Sequence, residues 1–250
     1  LNKILDLFTK HETVGTFFVL GWVADKYPDL IKEIHLKGHE IANHSYAHKL
    51  VYKMSPEEFR ADLLNAENAI INAIGGKPKY YRAPGFSIRN DCKFALDILI
   101  KEGYLVDCSI FPSRRSHGGM KTFPVSKPCR IINNIDNEII EMPVNTAKTF
   151  GMDYVFSGGG YFRLFPKYFL KKLYYRSEYN MTYLHPRDLD PHQPMVNNLT
   201  IHRKFKSYYN LSSTEEKLDI ILEMFRSISI GEYLSEQNYQ NLPTVSFDEF

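Results

Sequence analysis

The sequence predicts an α/β fold built from repeated strand and helix units, and three observations support this prediction. Short apolar runs rich in β-branched and aromatic residues alternate with amphipathic stretches from residue 1 to about residue 184. Most of these runs are flanked by glycine, proline or charged residues, as is typical of strand ends. The chain has 250 residues and 44% hydrophobic content, enough for one large core. We therefore expect a single domain over residues 1–250 around a mainly parallel sheet.

The strands are predicted from short segments that are apolar and mostly β-branched or aromatic. In chain order these segments are 15–20, 40–43, 80–82, 104–107, 139–144 and 181–184. The polar segment 133–138 lies between two apolar stretches, so it predicts a hairpin turn. Residues 158–160 are all glycine and predict a tight loop at which the backbone approaches a neighbour closely.

The helices are predicted from apolar periodicity and from residues that cap helix ends. An apolar helical pattern begins at Leu1, and Ser55 followed by Pro56 and Glu58 is typical of a capping box at a helix start. That helix should end at Gly75, because glycine accepts the left-handed conformation common after a last helical turn. Further helices are predicted over 28–37, 91–102, 166–177 and 213–227.

Composition narrows the range of partners. Lys plus Arg number 31 and Asp plus Glu 29, with no block of either sign, so we expect no nucleic-acid partner. No apolar run reaches the roughly 18–20 residues that cross a bilayer. The chain begins with Leu1 inside a helical pattern, so we expect a preceding segment and leave the compartment open between the cytoplasm and the envelope of a bacterium.

A pair of histidines follows the strand predicted at 40–43. His44 and His48 should therefore emerge at the carboxyl end of that strand, where α/β barrels build active sites. If the segment forms a helical turn, the spacing of four places both imidazoles on one side, within reach of one metal ion. A hydrolytic zinc commonly takes about three protein ligands and a water, so a further ligand is needed. The alternative is a pair of surface or capping histidines, and the spacing alone leaves both open.

Arg82 and the turn after it form a second candidate group. An arginine at a strand end can pair with a carboxylate through two hydrogen bonds, although an exposed surface arginine is the plain alternative. The backbone N–H groups of Gly85 and Phe86 are candidate donors to a developing oxyanion.

The remaining candidates lie further along the chain. His185 follows the predicted strand 181–184, and an imidazole there can protonate a departing amine, unless it only caps the strand. Asp107, at another strand end, could orient His185 or touch substrate. Tyr161 and Arg163 follow the glycines and suit contact with a sugar ring and its anionic neighbours, although core packing explains them nearly as well.

In this order, the motifs resemble those of the polysaccharide deacetylase (NodB-homology) family, carbohydrate esterase family four. They are Thr16–Val19, Gly38–Ile41, His44–His48, Arg82–Pro84 and Leu184–Pro186. Further segments resemble the branch of this family found with exosortase and exopolysaccharide gene clusters. These are 17–24, 104–112, 158–166 and 185–191, and the resemblance covers about residues 13–225.

The resemblance implies a distorted (β/α) barrel with fewer than eight strands, its first strand upstream of Leu1 and residues 186–250 as a C-terminal extension. It also implies that His44 and His48 bind a divalent metal, usually zinc. A third ligand and a general base would be two aspartates, expected upstream of Leu1. Arg82 would hold the base and His185 would act as the acid. The family's usual Arg-Pro-Pro-Tyr-Gly is Arg82–Phe86 (RAPGF) in this sequence, which keeps the backbone donors of the turn and has no tyrosine in it.

The function implied is metal-dependent hydrolysis of N-acetyl groups on acetamido sugars of a surface or exported polysaccharide, with release of acetate. Two other functions stay open. One is a non-catalytic carbohydrate-binding scaffold that lacks the aspartate pair, and the other is a metal-independent cyclic amide hydrolase. The sequence upstream of Leu1 would discriminate the first alternative, and the presence of both His44 and His48 argues against the second.

Overall fold

The structure is a computed structural model, and it describes residues 1–113, 118–149, 152–196 and 199–250. The chain divides into two units. The sheet unit consists of Val14–Val144 and Ser229–Phe250, and the helical unit of Leu1–Thr13 and Asn145–Ile228. The boundary expected at residue 186 falls inside the helical unit, while the single-domain expectation stays a prediction.

The strands and helices alternate through the first half of the chain. The strands are β1 (Thr16–Val19), β2 (Glu40–Asn43), β3 (Tyr80–Tyr81), β4 (Val106–Asp107), β5 (Cys129–Ile132), β6 (Glu138–Glu141), β7 (Ala147–Thr149), β8 (Met152–Tyr154) and β9 (Thr244–Ser246). The helices are α1 (Asn2–Lys10), α2 (Gly21–Lys26), α3 (Pro28–Leu36), α4 (Pro56–Ile74), α5 (Phe94–Lys101), α6 (Gly159–Leu164), α7 (Lys167–Arg176), α8 (Ile201–Tyr208), α9 (Thr214–Met224) and α10 (Ile230–Glu236).

The sheet unit contains a seven-stranded sheet in the order β1-β2-β3-β4-β6-β5-β9. Strands β1, β2, β3, β4 and β6 run parallel, β5 runs antiparallel to β6, and β9 pairs in parallel with β5. This arrangement confirms the α/β class. Among the described residues β1 and β9 are the outer strands of the sheet, so a closed barrel stays a prediction.

The strands predicted before residue 145 form, with the last of them shifted to Glu138–Glu141, and the predicted hairpin places Ile132 opposite Glu138. The strand predicted at 181–184 is wrong. There Tyr183 makes only an isolated bridge with Gly158, and the N–H of Met181 donates to the Asn145 side chain at 3.0 Å. A side chain therefore takes the place that a neighbouring strand would occupy.

Local sequence signals set several helix ends. Ser55 and Glu58 form the predicted capping box, with the Glu58 N–H donating to Ser55 Oγ at 3.2 Å, and Gly75 ends α4 at φ 75°. The close approach predicted at residues 158–160 occurs at Gly158, where an added Cβ would lie 2.3 Å from Tyr183 Cε1. The predicted loop is nevertheless a helix start, because α6 begins at Gly159.

The core of the sheet unit lies between the sheet and helices α4 and α5. Phe59 and Leu63 of α4 and Leu99 of α5 are buried in one cluster with Tyr81 of β3. The rings of Phe59 and Tyr81 meet edge to face at 5.7 Å between centroids. Full burial of each such side chain contributes roughly 1.5–3 kcal/mol, which holds the short strands β3 and β4 in place.

The C-terminal segment belongs to the sheet unit through contacts at the start of β2. The carboxylate of Glu40 accepts hydrogen bonds from Ser229 Oγ and from the Gly231 N–H, both at 2.8 Å. The carboxylate also accepts a hydrogen bond from Thr16 Oγ1 at 2.6 Å. Within the described part of the chain, no helix is long and apolar enough to cross a membrane.

Candidate functional site

The carboxyl ends of β2, β3 and β4 meet at one edge of the sheet. Asn43 pairs with Tyr81, and Tyr81 pairs with Asp107, so the residues that follow these strands are neighbours. His44 and Arg82 come directly after β2 and β3. Parallel α/β sheets place their reactive side chains at this edge, and the structure brings His44, His48 and Arg82 together here.

A backbone carbonyl fixes the tautomer of His44. Its Nδ1 lies 2.7 Å from the carbonyl oxygen of Arg82. A carbonyl can only accept a hydrogen bond, so Nδ1 must carry the proton and donate it. The lone pair of the neutral ring is then on Nε2, the nitrogen through which His44 would bind a metal.

His48 approaches His44 through a loop and not through a helical turn, so the predicted local conformation is wrong. Ser45 and His48 have positive φ angles of 72° and 58°, which a helix does not contain. The two imidazole centroids are nevertheless 5.3 Å apart, with the rings at 77° to each other. The two rings are therefore close together as expected, although the backbone that connects them is a loop and not a helical turn.

Polar side chains that the sequence analysis missed hold this loop. The carboxylate of Asp62, on α4, accepts hydrogen bonds from the N–H groups of Tyr46 at 2.8 Å and Ala47 at 3.2 Å. Buried Asn43 accepts from the Ser45 N–H at 2.8 Å and donates to the Tyr104 hydroxyl at 2.7 Å. Side chains on neighbouring elements thus compensate for the left-handed conformation of Ser45.

Arg82 lies across the sheet edge. Its Nε donates to the carbonyl of Cys108 at 3.2 Å, and its guanidinium carbon is 4.1 Å from the ring centroid of Phe18. In the following turn the Phe86 N–H donates to the Ala83 carbonyl at 3.0 Å. Of the two expected oxyanion donors, Phe86 thus already has a partner in the turn itself, which leaves the Gly85 N–H as the better candidate.

Asp107 is fully buried at the end of β4 and does not reach the surface. Its carboxyl accepts a hydrogen bond from Ser109, and Glu141 is its register partner on the neighbouring strand β6. Burial is the main cause that raises the pKa of Asp107 to about 6, and it raises the pKa of Glu141 well above its usual range. The role expected for Asp107 as a partner of His185 stays a prediction.

His185 lies in the helical unit and has an exposed imidazole. Its backbone N–H donates to Asp188 Oδ2 at 2.9 Å, and its Nδ1 lies 3.2 Å from the same oxygen. Burial raises the pKa of Asp188, but the hydrogen bonds from His185 and the charge of Arg163 outweigh it, so the net pKa lies below the usual value. An ionised Asp188 therefore favours the tautomer of His185 that carries a proton on Nδ1.

Arg163 is buried, so its side chain does not face solvent as the predicted contact with substrate would require. Its guanidinium pairs with Asp188, and its Nε donates to the Tyr209 carbonyl at 3.1 Å. The turn of α6 directs this side chain inward, which the prediction of a loop at 158–160 did not anticipate. Tyr161 is half-buried and stacks on Phe165 with 6.4 Å between ring centroids.

The donor atoms near His44 fit part of a zinc site. Two imidazoles 5.3 Å apart, one with its tautomer fixed, are suitable nitrogen ligands for zinc. In the described ranges no group of three or more His, Cys, Asp or Glu side chains is arranged to hold a metal ion. The two histidines therefore account for two positions of such a site and leave a carboxylate position to be filled.

Comparison with known families defines the class of protein. Residues 1–99 match the polysaccharide deacetylase family model, so this part of the chain is similar to NodB-type deacetylases. Residues 108–235 match the family described as domain of unknown function DUF3473, and because this match covers half of the chain, the chain belongs to that family. The relation to exosortase gene clusters stays a prediction.

Curated relatives resemble only the first part of the chain. A peptidoglycan-N-acetylglucosamine deacetylase from Bacillus cereus is 36% identical over 96 residues, which are 38% of this chain and 35% of that protein. A chitooligosaccharide deacetylase from Bradyrhizobium is 37% identical over 82 residues, 32% of this chain and 37% of that protein. The matched regions thus span about a third of the length of these relatives.

A solved structure resembles nearly the whole chain. A Mycobacterium smegmatis protein, described as a candidate polysaccharide deacetylase, superposes with a TM-score of 0.64 at 18% identity. The superposition covers 97% of this chain and 78% of that protein. At this identity the likeness establishes the fold alone.

Proposed function

We propose that this protein hydrolyses N-acetyl groups on acetamido sugars of a surface or exported polysaccharide, releasing acetate and leaving a free amine. The observation that carries the proposal is the imidazole pair His44 and His48 at the carboxyl edge of a parallel sheet, with Nδ1 of His44 bound to the Arg82 carbonyl. The names of relatives, which include deacetylases of peptidoglycan N-acetylglucosamine and of chitooligosaccharides, support the amide substrate.

In this proposal Nε2 of His44 and the imidazole of His48 hold a divalent metal, with zinc the best match to nitrogen donors. When bound, such a metal supplies a Lewis acid and lowers the pKa of a water molecule to about 7. Residues 1–250 contain no aspartate pair in the family's first motif, so the third ligand and the general base are unassigned within them.

The other roles belong to side chains and backbone groups of this chain. Arg82, ordered by Cys108 and Phe18, holds the carboxylate of the general base. The Gly85 N–H donates to the developing oxyanion. His185 protonates the departing nitrogen from Nε2, while Asp188 accepts a hydrogen bond from Nδ1 and orients the ring.

Acetate release from N-acetylglucosamine oligomers tests this function, measured with full-length protein alongside its metal content. We expect release that chelator abolishes and zinc restores. His48→Ala should lower activity at least about 100-fold with loss of bound metal. Lys49→Ala, at the exposed neighbouring position, should retain both. Oligomer binding by folded protein without acetate release would instead favour the carbohydrate-binding scaffold, and chelator-resistant release would refute the metal-dependent mechanism.

A further inference from the structure

Two carboxyl groups face each other inside the sheet. Asp107 on β4 and Glu141 on β6 are register partners in adjacent parallel strands, and both side chains are fully buried. As register partners in adjacent strands, the two side chains leave the sheet on the same face and lie side by side. Neither residue belongs to the metal-binding histidine pair, and Glu141 lies in an apolar stretch that gives no sign of a site.

The donors around the pair reach only one oxygen of each carboxyl. Ser109 Oγ donates to Asp107 Oδ1, and the Ile110 N–H donates to Glu141 Oε1 at 3.0 Å. Within the described residues, Asp107 Oδ2 and Glu141 Oε2 receive no hydrogen bond from a donor. Two ionised carboxylates have only acceptor atoms, so they cannot bond to each other, whereas one proton between them satisfies both orphan oxygens.

Ser109 connects Asp107 to the turn that follows β3. Ser109 Oγ accepts a hydrogen bond from the Ala83 N–H at 2.7 Å, so its own proton is directed to Asp107. Burial raises the pKa of Glu141 well above its usual range and that of Asp107 only to about 6, so the proton between the carboxyls belongs to Glu141. The Ala83 N–H opens the Ala83–Phe86 turn, directly after the Arg82 carbonyl that holds His44.

We infer that Glu141 donates a shared proton to Asp107, and that this singly charged pair positions the Arg82–Phe86 turn through Ser109. Glu141 is a positioning residue, because it acts through Asp107 and Ser109 and not on substrate. The effect on catalysis rests on the proposed deacetylase function, whereas the shared proton itself does not.

The charged and titratable groups around Asp107 and Glu141 favour a pair that holds one proton and one negative charge. Burial is the largest cause raising the pKa of both carboxyls, and the charge of Asp107 raises the pKa of Glu141 further. The titratable groups facing the pair are Tyr81 and Arg82 at the end of β3, Cys108 after β4 and Cys129 on β5. Arg82 favours a single negative charge here, and the pKa of each of the other three is raised, so they stay neutral near pH 7.

Glu141→Gln replaces the shared proton by an amide donor of the same shape. Its NH₂ can donate to Asp107 while its oxygen still accepts from Ile110, so no titration is needed at this position. A raised pKa in the folded state means that wild-type stability falls as pH rises above the ordinary carboxyl value of about 4.5. We expect a wild-type melting temperature roughly 5 °C lower at pH 8 than at pH 5, and a flatter profile for Glu141→Gln.

The control is Glu138→Gln, which changes a glutamate at the partly exposed start of β6 and should keep the wild-type profile. In D₂O, infrared difference spectra should show the carbonyl band of a protonated carboxylic acid at neutral pH in wild type and in Glu138→Gln, and lack it in Glu141→Gln. Glu141→Ala should lower the melting temperature at every pH, and Glu141→Gln should restore it. A missing band in wild type, or equal pH profiles for wild type and Glu141→Gln, would overturn the shared proton.

Activity tests the positioning role separately. If the protein releases acetate, Glu141→Gln should keep kcat within about twofold and Glu141→Ala should lower kcat more than KM changes. Equal kcat for Glu141→Ala and wild type would overturn the positioning role even with the infrared band present. A protein with the band but without deacetylase activity would refute the proposed function and leave the proton assignment standing.

Discussion

The guanidinium of Arg163 pairs with the carboxylate of Asp188 inside the helical unit, and both side chains are almost entirely removed from solvent, at 2% and 6% exposure. Removing one partner of a buried ion pair leaves an uncompensated charge, which costs far more than the loss of an exposed pair. The same carboxylate binds the backbone N–H and Nδ1 of His185. The stability of the helical unit and the orientation of His185 therefore both depend on the carboxylate of Asp188.

The first prediction concerns the strength of this ion pair. Arg163→Met should lower the free energy of unfolding by about 3–5 kcal/mol, because Asp188 would stay buried without its cation. Urea denaturation followed by circular dichroism measures this difference. Arg176→Met, which removes an exposed arginine from the end of α7, should change it by less than about 0.5 kcal/mol. Similar losses for the two variants would show that the buried pair contributes no special stability.

The second prediction concerns acid denaturation. The folded-state pKa of Asp188 is lowered, so its contribution is present above the usual aspartate value of about 4 and is lost as pH falls through the folded value. Wild type should therefore lose more stability between pH 5 and pH 2 than Asp188→Asn does. Thermal melts across this range give the comparison, with Asp190→Asn as the exposed control. Parallel pH profiles of wild type and Asp188→Asn would contradict the assignment.

The third prediction concerns the loop that carries His48. Asp62→Ala removes the acceptor of the Tyr46 and Ala47 N–H groups, so the loop should no longer hold His48 beside His44. Groups that orient metal ligands typically contribute 10–100-fold to affinity, and we expect a loss of about that size in a competitive zinc titration. Asp25→Ala is the matched control, because Asp25 contacts the same loop only through the exposed Tyr46 hydroxyl. Equal zinc affinity for Asp62→Ala and wild type would show that the loop holds its shape without Asp62.

The sequence predicted the sheet edge well because its signals are local. His44, Arg82 and Asp107 each follow or end a short apolar run, and parallel pairing then brings those ends together. Glu141 was missed because its importance comes from register with Asp107 across β4 and β6, which no local pattern records. Strand β9 was missed for the same reason, since three residues form a strand only when they pair with distant β5.

In the helical unit the errors share one physical cause. Gly158–Gly160 has the composition of a loop, yet α6 begins inside it because the packed unit overrides low helix propensity. Once α6 forms, Arg163 points inward to Asp188 instead of outward to a substrate. The strand expected before His185 does not form, and the burial of Asp188 depends on α6, so the local sequence did not predict either feature.

The last prediction concerns Gly158. An added Cβ would lie 2.3 Å from Tyr183 Cε1 and 2.5 Å from the Tyr183 carbonyl oxygen, and the backbone atom cannot swing away as a flexible side chain would. Gly158→Ala should therefore separate the bridge between Gly158 and Tyr183 and lower the free energy of unfolding by about 1–3 kcal/mol. Gly76→Ala is the matched control, because no atom lies within 4 Å of a Cβ built there. Urea denaturation of both variants measures the two changes in the free energy of unfolding. Because Tyr183 precedes His185 by two positions, Gly158→Ala should also weaken any acetate release. If the Gly158→Ala variant were as stable as wild type, the two segments would lie further apart than the structure places them.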